Sequence, residues 1–194
     1  LGARLDVAWR ARLEAHLGAF TVEPIKSRAA VALNDRLALA GLNAVCAMAH
    51  VTLAERIACP QLYAHTERLL DLLPQTDLFP LAYVQWEMQV LQEIGFGLDL
   101  ESCAVTGKIE DLIYISPKSG RAVSRQGAGE WADRLLPLPD CLKYTGTGQD
   151  ADVLVGLQVL EFFWKSKVAK QLDLTDMPSA RARFVDIFVR QVSS

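Results

Sequence analysis

Apolar and polar positions alternate one for one across residues 4–14. Leu5, Val7, Trp9, Ala11 and Leu13 fall on one side; Arg4, Asp6, Arg10, Arg12 and Glu14 fall on the other, with Ala8 among them. A period of two predicts a strand with one buried face and one wet face. Residues 15–18 can turn the chain, and residues 19–23 can return it as a second strand that Pro24 stops. A lone hairpin is marginal in water, so this pair calls for partner strands that the rest of the sequence does not supply. From residue 25 the period lengthens. Leu33, Leu37, Ala40, Ala44, Val45, Met48 and Val51 share one helical face over residues 25–53. Gly41 inside that helix costs about 1 kcal/mol against Ala and marks a kink or a close helix crossing. Pro60 opens a further helix at its first position, running through Leu62, Leu69, Leu70 and Leu73 to Pro74.

The stretch the rest of the chain is organised around is 80–107. In its helical part, 81–94, Gln85, Gln89, Gln92 and Glu93 lie on one side, while Val84, Trp86, Met88, Val90, Leu91 and Ile94 spread over the remaining circumference. So wide an apolar arc predicts a helix packed on more than one side. Gly95, Phe96 and Gly97 end it. One residue breaks the pattern: Glu87 sits in the middle of the apolar arc. A carboxylate there is costly without a cation to meet it, so a structural pairing is expected, with Arg36 as first candidate and Arg68 as second. A catalytic Glu is the alternative. Beyond Cys103, residues 112–116 and 122–124 are strand candidates across Pro117 and Gly120, which is hairpin chemistry. A short helix is expected over 127–136, ended by Pro137 and Pro139, then a loop over 143–150, a strong helix over 151–172, and a last helix, Ser179 to about Val192, after Pro178. Helices joined by short connections predict a mostly α fold, a bundle with a small β-hairpin lobe.

Half of the residues are apolar, yet no uninterrupted run approaches the ~20 residues a membrane-spanning helix needs. No signal-peptide pattern opens the chain, and Cys46, Cys59, Cys103 and Cys141 form no CxxC pair, so a cytoplasmic protein with reduced thiols and no membrane partner is expected. The first residue is Leu, which reads as the start of a fragment. A net charge of −3 excludes a globally basic nucleic-acid binder. Its distribution is uneven. Lys and Arg outnumber Asp and Glu by five to three in residues 1–30 and six to three in 165–194, but are outnumbered nine to seventeen between them. Basic ends around an acidic middle are compatible with a DNA path touching the termini.

The spacing of the central stretch resembles a known family. A helix ending in Val90-Leu91-Gln92-Glu93-Ile94-Gly95, then Leu98-Asp99-Leu100, then Cys103-Ala104-Val105-Thr106-Gly107, followed by 114–121 (YISPKSGR), is similar in combination to the centre of the bacterial RecO family of recombination mediators and DNA-annealing proteins. The match extends over nearly the whole chain. The resemblance implies that residues 1–24 are the last strands of an incomplete OB-fold whose earlier strands precede Leu1. It further implies that residues 25–194 form the α-helical RecO-like C-terminal domain, with a degenerate zinc-finger lobe at about 98–126. Arg4, Arg10 and Arg12 would then be a cationic row of the kind an OB-fold sets along a phosphate backbone, joined by Lys26 and Arg28. A basic segment around Arg181 and Arg183 is implied as a contact with DNA or an acidic peptide; two residues apart on one helix, at least one of the two should face solvent.

The resemblance also implies a non-enzymatic DNA repair protein that binds and anneals single- and double-stranded DNA. Such a protein works with RecR and takes the acidic, hydrophobic C-terminal tail of single-strand-binding protein. A helical protein-interaction module without DNA contact is the alternative. Many members hold a four-cysteine metal site in this lobe, but Thr106 stands where a second thiolate belongs and residues 119–125 hold no Cys or His. No zinc and no other cofactor is therefore expected. Cys103 and Gly107 are read as structural. A catalytic Cys103 would need a base, and His16, His50 and His65 stand in no recognisable active-site context. Asp99, Glu101, Glu110 and Asp111 read as a solvated acidic loop.

Overall fold

The computed structural model describes residues 1–13, 17–143, 146 and 148–193. Strands β1 (Arg4–Arg10) and β2 (Ala19–Lys26) form an antiparallel hairpin. A short α1 (Ala29–Ala32) leads into α2 (Arg36–Thr52), α3 (Pro60–Asp71) and α4 (Phe79–Glu93). Next come β3 (Leu112–Ile115), β4 (Ala122–Ser124), α5 (Arg125–Ala128), a 3-10 turn (Gly129–Arg134) and β5 (Leu136–Pro137). The chain closes with α6 (Asp150–Phe163), a π-helical segment (Trp164–Val168), α7 (Ala169–Gln171) and α8 (Ser179–Val192). The turn expected at 15–18 and the loop expected at 143–150 fall partly outside the described residues, as does His16.

Helix α4 occupies the middle. Tyr83, Val84, Trp86, Val90 and Leu91 are buried, and α2, α3 and α6 pack around it. Gly95 closes it with φ +84, Phe96 N–H donating to Leu91 O (2.8 Å) and Gly95 N–H to Gln92 O (3.2 Å). That paired pattern is a Schellman cap, and the left-handed backbone is why glycine stands there. Helix α2 starts where the Asp35 side chain accepts Ala38 N–H at 2.9 Å. Gly41 marks a close crossing rather than a kink: a Cβ there would lie 2.3 Å from the Phe79 ring of α4. Phe79, Tyr83 and Phe184 stack across α4 and α8, the last two with ring centroids 4.6 Å apart.

Four expectations are corrected. The long helix expected over 25–53 begins only at Arg36, because β2 runs through to Lys26, and Leu33 is exposed in the link instead of joining the buried face. Pro24 does not stop β2; in a two-stranded sheet every strand is an edge, where a missing N–H does no harm. The first strand ends at Arg10 rather than at residue 14, and its apolar face is exposed. The single helix expected over 127–136 is instead the Ser124-capped α5, a break at Gly129 (φ +48) and a 3-10 turn, after which Leu136–Pro137 pairs with β3 as a third strand. The small sheet has the order β4-β3-β5, which puts Pro137 on an edge.

Candidate nucleic-acid interface

Antiparallel register sorts the hairpin into two faces, since directly paired residues lie on one side. Leu5 pairs with Pro24, Val7 with Val22 and Trp9 with Phe20, which makes one side continuously apolar. Among the described residues nothing buries it: Trp9 is 49% and Phe20 66% exposed, and their rings rest on each other at 4.6 Å. The other side pairs Arg4 with Lys26, Asp6 with Glu23, Ala8 with Thr21 and Arg10 with Ala19. A bulge between the first two pairs places Ile25 opposite no residue of β1. Two like charges, Asp6 and Glu23, thus stand directly opposite in the middle of the polar face. They divide its cations into a group beside the helices and a group, Arg10 and the exposed Arg12 beyond it, at the far end.

The group beside the helices is already engaged. Helix α3 presents Glu67 and Asp71, four residues apart and so on one face. Arg4 meets Glu67 at 3.2 Å and Lys26 meets Asp71 at 2.7 Å. Arg28 reaches both: Nη2 to Glu67 Oε1 at 3.0 Å, Nε to Asp71 Oδ1 at 2.8 Å, with Nη1 donating to Gly2 O at 3.0 Å. The expectation that Arg28 faces DNA is corrected, because its side chain is 5% exposed and all three of its donor nitrogens are engaged within the protein. Burial works against the charge of Arg28, but hydrogen bonds to Asp71 and Glu67 outweigh it and hold its proton more tightly than usual. The hydrogen bond from Lys26, then those from Arg28, keep Asp71 below the ordinary carboxylate range against the opposing effect of burial. Arg10 and Arg12 form no ion pair among the described residues.

On α8 the two arginines part. Arg183 is exposed and lines a cavity of about 390 Å³ with Cys46, His50 and Leu1, which brings it near the start of β1. Arg181 turns inward and is 3% exposed. Its guanidinium grips Glu87 in a fork, Nε to Oε1 at 2.7 Å and Nη2 to Oε2 at 2.9 Å, with Leu157 O accepting a further bond at 3.0 Å. Two expectations are corrected together. Arg181 is no DNA contact, and the partner of Glu87 is neither Arg36 nor Arg68. Both of those side chains are exposed, whereas α8, packed on α2 and α6, carries Arg181 in to Glu87. Burial disfavours the Arg181 charge, yet Glu87 keeps it protonated beyond the ordinary arginine range.

An apolar groove runs along the other side of α4. Its volume is about 400 Å³; Leu69, Leu72, Leu78 and Leu81 line it, and His65 and Arg68 stand among them. In the lobe, Cys103, Val123 and Ala128 form a small core of their own. Cys103 Sγ accepts from Ser124 N–H (3.2 Å), Ser124 Oγ (3.3 Å) and Thr106 N–H (3.4 Å). Burial pushes this thiol up, but those bonds outweigh it and bring the pKa down to about 6. Its neighbours offer N–H and O–H donors to the sulfur rather than thiolate or imidazole lone pairs, so the residues present do not fit tetrahedral zinc. Gly107, at φ +70, closes the turn by donating to Cys103 O at 2.9 Å. Burial and then Asp152 raise Cys141 to about 12. Of the acidic residues of the lobe, Asp99 pairs with Arg121 at 2.9 Å and Asp111 with Arg125 at 3.4 Å, both at the surface.

Residues 33–173 match a protein-family model described as "Recombination protein O C terminal". The chain is 56% identical over 191 residues to DNA repair protein RecO of Roseobacter denitrificans, an alignment covering 98% of this chain and 79% of that protein. It is 52% identical over 191 residues to DNA repair protein RecO of Ruegeria sp., with the same shares covered, and 50% identical over 192 residues to that of Jannaschia sp., covering 99% and 78%. No solved structure matches significantly.

Proposed function

From the premise that the chain belongs to the bacterial RecO family of DNA repair proteins, we propose that it is a non-enzymatic recombination mediator, which binds and anneals DNA and helps load recombinase together with RecR. The observation that carries this reading is the hairpin: one face is apolar and exposed, the other carries cations at both ends of a central acidic pair, as expected of strands 1–24 if they belong to an OB-fold. Arg10, Arg12 and Arg183 are its open phosphate contacts; Arg4 and Lys26 are further contacts now occupied by α3. Neutralising phosphates on two strands at once lowers their mutual repulsion, which is the physical basis of annealing. The groove along α4, with leucines and Trp86 for apolar side chains and Arg68 and His65 for a C-terminal acid, supports docking of the tail of single-strand-binding protein. The lobe is held by packing and hydrogen bonds without zinc; metal analysis returning one tightly bound zinc per chain would overturn that.

Salt titration of oligonucleotide binding tests the DNA reading. For single strands the slope of log affinity against log salt is about −0.7 per phosphate neutralised, so replacing Arg10 and Arg12 by Gln flattens it by about 1.4. A second reading, a helical interaction module without DNA contact, is favoured by the apolar groove and by the neutralised cations beside α3. Oligonucleotide affinity insensitive to salt and to both arginines would select it.

A further inference from the structure

We infer that Glu67 and Asp71 form an acidic latch that competes with DNA phosphates for Arg4 and Lys26, so that part of the DNA surface is held closed until phosphate displaces the carboxylates. This rests on the reading of the hairpin as a DNA-binding surface and adds its regulation. Three cations share two carboxylates, and they are not equivalent. Arg28 is held at 5% side-chain exposure by Glu67, Asp71 and Gly2 O, whereas Arg4 and Lys26 are each 51% exposed and each meets one carboxylate. When Arg4 and Lys26 leave, both carboxylates keep Arg28, so no buried charge is stranded and the desolvation penalty of breaking a buried pair does not arise. What opposes their transfer is the small free energy of exposed ion pairs. A carboxylate at 2.7–3.2 Å from these nitrogens occupies the position a phosphate oxygen takes, so the two occupants exclude each other. The Asp6–Glu23 pair separates this end from Arg10, which leaves the far end of the hairpin to make first contact.

Binding of a labelled oligothymidylate to the full chain, measured by anisotropy, tests the latch. Glu67→Gln frees Arg4 while Arg28 keeps Asp71, and affinity is expected to rise about two- to fivefold. That gain is expected to vanish in an Arg4→Gln background. Asp71→Asn read against Lys26→Gln gives a second, independent cycle should one variant melt early by circular dichroism. A gain that survives without Arg4 or Lys26 reports only lost negative charge and overturns the latch. Equal binding by the parent and both carboxylate variants overturns the latch and leaves the DNA reading standing. Absence of binding by every protein overturns both, and binding by the carboxylate variants alone supports the latch in its strongest form.

Discussion

Two carboxylate–cation clusters sit at opposite extremes of burial. At the centre, Glu87 is fully buried and Arg181 nearly so, with each guanidinium bond matched by one acceptor. Beside the hairpin, Glu67 and Asp71 share three cations, of which only Arg28 is buried. The chemistry is the same; the consequence differs. Water cannot replace either partner at the centre, so that pair is a permanent tie between α4, α6 and α8. At the hairpin, Arg4 and Lys26 are half exposed, so water can replace their carboxylate partners, which is what an exchangeable contact requires.

The sharpest break in this comparison is Arg181→Met, which strands a buried carboxylate and is expected to cost about 3–5 kcal/mol in denaturant unfolding. Replacing both partners, with Glu87→Leu added, should recover most of that loss; a double variant no better than the single one would mean the pair is needed for more than charge balance. Arg28→Met comes next. Hydrogen bonds to charged groups contribute about 1.5–3 kcal/mol, and since Arg28 anchors a hairpin not packed into the core, the loss should appear as faster amide exchange in β1 and β2 with α4 unchanged.

Acid separates the clusters by pH. Asp71 is held below the ordinary carboxylate range, so its contribution is complete above that range and disappears as pH falls through the depressed native value. As pH falls below about 4 amide exchange in the hairpin should therefore begin to quicken while the helical core stays protected, the loss becoming complete only below the depressed native value, and Asp71→Asn should remove the transition. Smallest of all, Arg4→Gln should change the unfolding free energy by less than about 1 kcal/mol. A larger loss would mean that Arg4 belongs with Arg28 as an anchor rather than with the releasable side chains.

Much of this was legible before any coordinates. The wide apolar arc around Val84, Trp86, Val90 and Leu91 announces an enclosed helix, and the boundaries of α8 follow from Pro178 and the spacing after it. Glu87 stands out as an anomaly for the same reason. Its partner does not, because the sequence separation of 94 residues carries no local signal. Arg181 and Arg183 look alike in the chain, yet a rotation of about 200° between residues two apart sends one into the core and the other to solvent.

Local order thus decided what is local: the period of the central helix, the glycine that ends α4, and the alternation that separates an apolar from a charged face on the hairpin. Tertiary structure alone decided which charges meet. The spacing of Glu67 and Asp71 puts both on one face of α3, but their capture of Arg4, Lys26 and Arg28 depends on where β1 and β2 come to rest. Side-chain periodicity is set by backbone geometry over a few residues, whereas pairing across the fold is set by packing, and packing is a property of the whole chain at once.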